Sequence, residues 1–282
     1  MNCLTSFQLH KSQVRGRFVR LDTLATDILA RHTYPPLINE CLRELIPLAI
    51  ALAGTFKFEG VFTLQIQGNQ SPVRFMVVDV NTEGHVRACA SFDEAKLKVL
   101  EGENISFPIL FGCGYMAFTL DQGDHMERYQ GIVELEGTTF AECLKHYFHQ
   151  SEQLETSFFV AAREEKSTCM MIQKLPFDPE GDVEDFEGWF TANALLATLK
   201  KEEALSDVVP EALIHRLFWQ EGLEVYTSQS YVFKCRCSRE KVETVLESLT
   251  AEEEKEITKE GKITVTCDYC GEIYSFLPKK DV

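Results

Sequence analysis

The chain has 282 residues, 45% of them hydrophobic, and a formal net charge of −16, so it can build a sizeable core and suggests two domains, one large and one small. The charge and the lack of a Lys/Arg cluster argue against nucleic acid, because a phosphate backbone calls for a basic face. No apolar run reaches the roughly 20 residues of a membrane span, and the start, MNCLTSFQLHKSQVRGR, lacks the apolar stretch of a secretory leader; a cytoplasmic protein with no membrane partner is expected.

Val14–Leu21 reads as a strand, and Asp22 as the cap of a short helix through Leu24, Ile28 and Leu29 that Pro35-Pro36 stops. Pro36 suits the first turn of a second helix carrying Leu37, Cys41, Leu45, Ala49 and Leu52 on one face, with Pro47 as an expected kink. The period then changes from 3.6 to 2. Val61–Gln67, Val73–Val80 and His85–Ser91 are strand-like, separated by the turn sequences GNQSP and NTEG. A helix around Asp93–Leu100, a hairpin of Tyr115–Leu120 and Tyr129–Glu136 across QGDH, a helix from Phe140 to Gln153, and strands at Phe158–Arg163 and Cys169–Leu175 complete an α+β core domain over 1–177. Short connections between neighbouring strands make its sheet mostly antiparallel.

From Pro176 the texture shifts. PFDPEGDVEDFEG is acidic and rich in breakers, and residues 178–231 hold 12 Asp/Glu against 3 Lys/Arg. Helices are expected at Trp189–Lys200 and Glu211–Trp219, with apolar faces that dock weakly on another surface. This stretch reads as a conditionally ordered helical linker. The remainder, 232–282, is a separate small unit: Tyr231–Cys237 extended, Ser238 capping a helix with Val242, Val245, Leu246 and Leu249, a Thr250/Glu253 capping box on a second helix that Gly261 ends, and short strands at Lys262–Thr266 and Ile273–Phe276.

Of the ten cysteines, Cys3, Cys41, Cys89, Cys113, Cys143 and Cys169 are scattered singly and read as small buried hydrophobes. The other four form two tight pairs. In an extended Cys235-Arg-Cys237 both sulfurs face one side. In Cys267-Asp-Tyr-Cys270-Gly271 a turn folds two thiols toward one point, and Gly271 tolerates positive φ. Four thiolates suit one zinc ion in a closed site, which leaves no position to activate water and so no hydrolase chemistry. A c-type haem site needs His where Gly271 stands, and a thioredoxin-like motif needs a helix where a strand follows Cys270; an iron–sulfur cluster shares the four-cysteine requirement and stays open. A unit of about 50 residues seldom holds together without a staple, and structural zinc supplies about 10–16 kcal/mol in small fingers. Two residues of strand span about 6.6 Å, near the upper limit for a disulfide. Oxidation of the sulfurs and the folded zinc form are therefore expected to exclude one another, which makes the site a redox switch.

Phe233-Lys-Cys-Arg-Cys-Ser-Arg-Glu and Gly261-Lys-Ile-Thr-Val-Thr-Cys-Asp-Tyr-Cys closely resemble the zinc domain of the bacterial 33-kDa heat-shock protein family, redox-regulated chaperones. Met126-Glu-Arg-Tyr-Gln-Gly-Ile-Val, His146-Tyr-Phe-His-Gln-Ser-Glu-Gln-Leu and His215-Arg-Leu-Phe extend the likeness along the chain, while Cys113 in Gly112-Cys-Gly-Tyr departs from it. The resemblance implies an ATP-independent holdase and no enzyme. It implies a reduced, zinc-bound, inactive state; oxidation to disulfides Cys235–Cys237 and Cys267–Cys270 with release of zinc; unfolding of the zinc domain and linker; and binding of unfolding client proteins, with a homodimer when oxidised. A thiol–disulfide oxidoreductase using Cys267 and Cys270, and a constitutive module with merely structural zinc, are the competing classes.

Three weaker signals have plainer readings. Cys143, His146 and His149 recur every third residue on a helix and read as the edge of an amphipathic face. Gly112-Cys-Gly114 lacks a phosphate-loop pattern and reads as a turn, and Glu252–Glu254 as a solvated helix start.

Overall fold

A computed structural model describes residues 1–100, 105–122, 129–163, 165–176, 186–259 and 261–278. In chain order the elements are β1 (Asn2–Leu9), β2 (Val14–Leu21), α1 (Leu24–Leu29), α2 (Pro36–Ala53), β3 (Val61–Gln67), β4 (Val73–Asn81), β5 (His85–Phe92), α3 (Glu94–Val99), α4 (Phe107–Phe111), β6 (Tyr115–Asp121), β7 (Tyr129–Glu134), α5 (Phe140–Gln150), β8 (Thr156–Ala162) and β9 (Ser167–Lys174). They continue with α6 (Phe186–Ala197), α7 (Lys201–Ala204), α8 (Pro210–Phe218), β10 (Leu223–Val225), β11 (Gln229–Ser230), β12 (Val232–Phe233), α9 (Arg239–Glu247), α10 (Ala251–Ile257), β13 (Thr258–Lys259), β14 (Lys262–Thr266) and β15 (Ile273–Phe276). The expected tip of the β6–β7 hairpin, the family-like Met126-Glu-Arg, most of PFDPEGDVEDFEG and the 177/178 boundary lie outside the described residues.

The architecture is α+β with antiparallel sheets, as the alternation in the sequence implies. One sheet runs β10-β1-β2-β9-β8, with β11 also on β1; a second runs β12-β5-β4-β3-β6-β7; a third is β13-β14-β15. Among these pairings only β12 with β5 is parallel. Helix α2 lies between the first two sheets, touching β2, β8 and β9 of one and β3, β4 and β5 of the other. Every residue from Leu45 to Ala53 is buried in consequence, and a helix apolar all round is a core helix. The helix runs on through Pro47 to Ala53.

Helices α6 and α8 cover the far face of the first sheet. Phe7, Phe18 and Met170 meet Trp189, Ile214 and Phe218 there in a second apolar core. The acidic stretch therefore carries a well-buried apolar face beneath its charge. Ion pairs rim it: Arg163 with Glu202 at 3.4 Å, and Lys166 with Asp207.

Two local expectations change, and one strand, β1, has no counterpart in the sequence reading. Strand β1 has no clean alternation because both its faces are covered: Leu4 joins the core around α2, while Phe7 and Leu9 join the core under α6 and α8. The cap of α1 is not Asp22. Asn2 Oδ1 accepts the backbone N–H groups of Asp22, Thr23 and Leu24 at 3.0, 3.1 and 3.1 Å, whereas Asp22 binds the N-terminal ammonium at 2.5 Å. Gly261, at φ 74°, turns the chain between β13 and β14 rather than ending α10, which closes at Ile257.

Candidate metal centre

Residues 223–233 deliver the first cysteine pair. The chain leaves β10 and β11 on the first sheet and crosses to β12 at the edge of the second, where Val232 and Phe233 register with His85 and Val86. Tyr231 at the crossing is buried. Gly84 makes the crossing possible: at φ 81° it lets Ser230 O approach to 2.3 Å of where a Cβ would stand. Cys235 and Cys237 follow directly, without strand pairing.

The second pair sits on the turn between β14 and β15. Gly271 N–H donates to Cys267 O at 2.8 Å, Cys267 N–H donates to Glu272 O at 2.9 Å, and Gly271 adopts φ 72° as expected. Between the pairs, Ser238 caps α9 by accepting Lys241 N–H at 3.3 Å, and Thr250 and Glu253 form the anticipated reciprocal cap on α10.

The four sulfurs converge. All lie within 4.8 Å of one another, in the one group of potential metal ligands found among the described residues. Cys235 Sγ is 3.7 Å from Cys267 Sγ, and Cys237 Sγ is 3.5 Å from Cys270 Sγ. Thiolates about 2.3 Å from one tetrahedral ion stand about 3.8 Å apart. The donor set and its spacing thus fit a single metal ion. No cysteine is in a disulfide.

The unit around the sulfurs has almost no core. Among its described side chains only Glu254, Ile263 and Phe276 are buried, and the apolar face of α9 stays open, with Val245 62% exposed. Beside its own small sheet β13-β14-β15, it meets the second sheet at the sulfur cluster. Arg87 of β5 reaches Cys235 Sγ at 3.8 Å and lies 3.8 Å over the Tyr269 ring. Arg31 covers the Phe233 ring at 4.0 Å, and Tyr274 Oη donates to Cys237 Sγ at 3.2 Å.

These neighbours make the sulfurs unequal. Burial pushes the Cys235 thiol up, but hydrogen bonds from the Cys237 backbone and thiol and from Arg87 outweigh it and bring it down to about 7. Cys267 and Cys270 are pushed up, chiefly by burial. Arg87 itself loses by burial and regains more from Asp79, so it is held above its ordinary range. Arg31, Asp79 and Arg87 are invisible to motif reading, since they lie on other elements far along the chain.

The remaining signals separate cleanly. Cys143 is fully buried, while His146 faces Glu136 at 3.9 Å and His149 faces Glu155 at 3.0 Å; the three share no point. Gly112 is a turn at φ 60° bridged to Asn69. Cys3, Cys89, Cys143 and Cys169 are buried, Cys41 is half-buried and Cys113 is exposed. Burial pushes the Cys41 and Cys89 thiols up to about 12.

Comparison with known proteins agrees with this geometry. The family model described as "Hsp33 protein" matches residues 2–277. A 33 kDa chaperonin of Caulobacter vibrioides is 35% identical, with 98% of this chain and 94% of that protein aligned. One of Photorhabdus laumondii is 37% identical over 97% of this chain and 92% of its own length. The crystal structure of a 33 kDa chaperonin (heat shock protein 33 homolog) from Thermotoga maritima superposes with a TM-score of 0.80 at 23% identity, covering 98% of this chain and 94% of that one. The four-sulfur cluster, the layered sheets and the match along nearly the whole sequence converge on one conclusion: the chain belongs to the Hsp33 family.

Proposed function

We propose that this protein is a redox-regulated, ATP-independent chaperone that holds unfolding proteins during oxidative stress and acts in the cytoplasm. The chaperonin relatives support the chaperone role and a non-enzymatic one. The observation that carries the regulation is the sulfur spacing, 3.5 and 3.7 Å across the two motifs. It matches one tetrahedral ion, and an iron–sulfur cluster, with several metal atoms, would hold its cysteines further apart. Zinc suits a closed set of four thiolates, with Cys235, Cys237, Cys267 and Cys270 as its ligands. When bound, it ties both motifs to one centre and supplies the folding energy that the nearly coreless unit lacks.

An oxidant of the peroxide class completes the scheme. Each pair of metal-bound thiolates gives up two electrons, forming one S–S bond as one hydrogen peroxide takes up those electrons and two protons from solvent to become two waters. Two such steps make Cys235–Cys237 and Cys267–Cys270 and remove the thiolates that hold the metal. The unit 232–282 then loses its fold, the linker over 178–231 loosens from the first sheet, and the uncovered apolar surface takes up clients and supports a homodimer. No helix among the described residues is long and apolar enough to cross a membrane, and with a net charge of −16 neither a bilayer nor nucleic acid is a partner in this scheme.

Zinc content and suppression of client aggregation, measured together on reduced and peroxide-treated protein, test the reading. One zinc and no suppression when reduced, then no zinc and full suppression when oxidised, is the expected pair. Suppression independent of oxidation would leave a constitutive module, and turnover of protein disulfides would make it an oxidoreductase.

A further inference from the structure

Behind the sulfurs lies a buried carboxylate that this chemistry does not use. Asp79 sits on β4 and faces away from α2, and it is 4% exposed. Its Oδ2 accepts Arg87 Nε at 2.8 Å, Arg87 Nη2 at 2.7 Å and Arg236 Nη2 at 2.8 Å. Its Oδ1 accepts the Thr63 hydroxyl at 2.7 Å. A buried carboxylate is costly unless paired and fully hydrogen-bonded, and here the pairing comes from both sides of an interface. Arg87 is fixed on the core sheet. Arg236 is the residue between Cys235 and Cys237. Arg87 extends the connection, with Nη1 directed at Cys235 Sγ at 3.8 Å and its guanidinium 3.8 Å over Tyr269, which lies between Cys267 and Cys270.

We infer that Asp79 is a positioning residue that clasps both cysteine motifs to the core sheet through Arg87 and Arg236, and thereby sets how readily the sulfurs release their metal. Without the carboxylate the two guanidiniums face each other as like charges. Arg236 swings out, the Cys235–Cys237 segment loses its tether, and Arg87 no longer has a fixed aim at Cys235 and Tyr269. The clasp also ties the state of the thiols to the core: when the cysteine motifs leave, Asp79 keeps only Arg87 and Thr63.

This inference rests on the metal reading above, and its test uses the reduced, zinc-loaded full-length protein. The measurement is the rate of zinc transfer to a colorimetric chelator in wild type, Asp79→Asn, Arg236→Gln and the double variant, with thermal unfolding of the core followed in parallel. Each single variant is expected to release zinc roughly tenfold faster, the size of one lost charged hydrogen bond, and the double variant no faster than the faster single. Thr63→Val, which touches neither guanidinium, should stay within about twofold, less than one net hydrogen bond would give. Unchanged rates in both single variants, or multiplying effects in the double, would overturn the clasp. Should Asp79→Asn fail to fold, Arg236→Gln decides alone, because that side chain is 36% exposed on the cysteine unit. Wild type that holds no zinc would overturn the metal assignment itself.

Discussion

The ring of Phe218, at the end of α8, stacks on the ring of Phe7 in β1 with centroids 5.4 Å apart and an interplanar angle of 25°. Both side chains are essentially fully buried, so this pair marks where the acidic stretch is held to the first sheet. Phe→Ala in such a setting costs about 3–5 kcal/mol. Phe218→Ala should therefore lower the temperature at which the oxidised protein gains holdase activity, while zinc content in the reduced state stays at the wild-type level. An aggregation assay run against temperature, with zinc determined on the same samples, checks both halves.

The two tryptophans should report this undocking unequally. Trp189, on the buried face of α6, is 7% exposed, whereas Trp219 is 59% exposed already. Oxidation with mild heating should shift the emission of a Trp219→Phe variant to the red and leave that of Trp189→Phe nearly unchanged. An unshifted Trp189 in protein that has lost its zinc would show that the linker stays packed when the cysteine unit opens.

Removing one ligand should mimic part of the switch. A serine hydroxyl is a poor substitute for thiolate on zinc, so Cys235→Ser should weaken binding beyond the roughly 10–100-fold typical of losing a group that merely orients a ligand. The reduced variant should then suppress aggregation partly without oxidant. Strict dependence on oxidant in a zinc-poor variant would mean that the ion does not restrain the protein through its fold.

The six cysteines outside the cluster divide by exposure. Cys113 is open to solvent, Cys41 is half-buried, and Cys3, Cys89, Cys143 and Cys169 are buried, with the Cys89 thiol held up to about 12 by burial; thiolate, not thiol, is the nucleophile. Brief iodoacetamide treatment of the reduced, zinc-loaded protein near neutral pH should modify Cys113 first. Peptide mass spectrometry showing Cys143 or Cys169 modified at the same rate would mean that the core opens far more often than its packing implies.

Much of this was legible in the sequence because the signals were local. The alternation of Phe62, Leu64 and Ile66 placed β3, Ser238 and the Thr250/Glu253 pair started their helices, and Gly271 allowed the turn on which Cys267 and Cys270 sit. Both cysteine pairs were found from spacing alone. What stayed hidden depends on tertiary partners. Strand β1 was obscured because residues on both its faces are buried, and the cap of α1 comes from Asn2, some 20 residues upstream. The clasp on the cysteine motifs joins Asp79 to Arg236 across a sequence separation of 157. No window of sequence contains both.

The C-terminal unit should exist as a fold only while its metal is bound. Hydrogen exchange on reduced protein, before and after stripping with a chelator under strictly anaerobic conditions, tests it most directly. With metal, the amides paired between β14 and β15 should be protected; without it, residues 232–278 should exchange at unfolded rates while β3 and β4 keep their protection. Persistent protection of β14 and β15 in the metal-free, reduced protein would show that the fold does not depend on the ion.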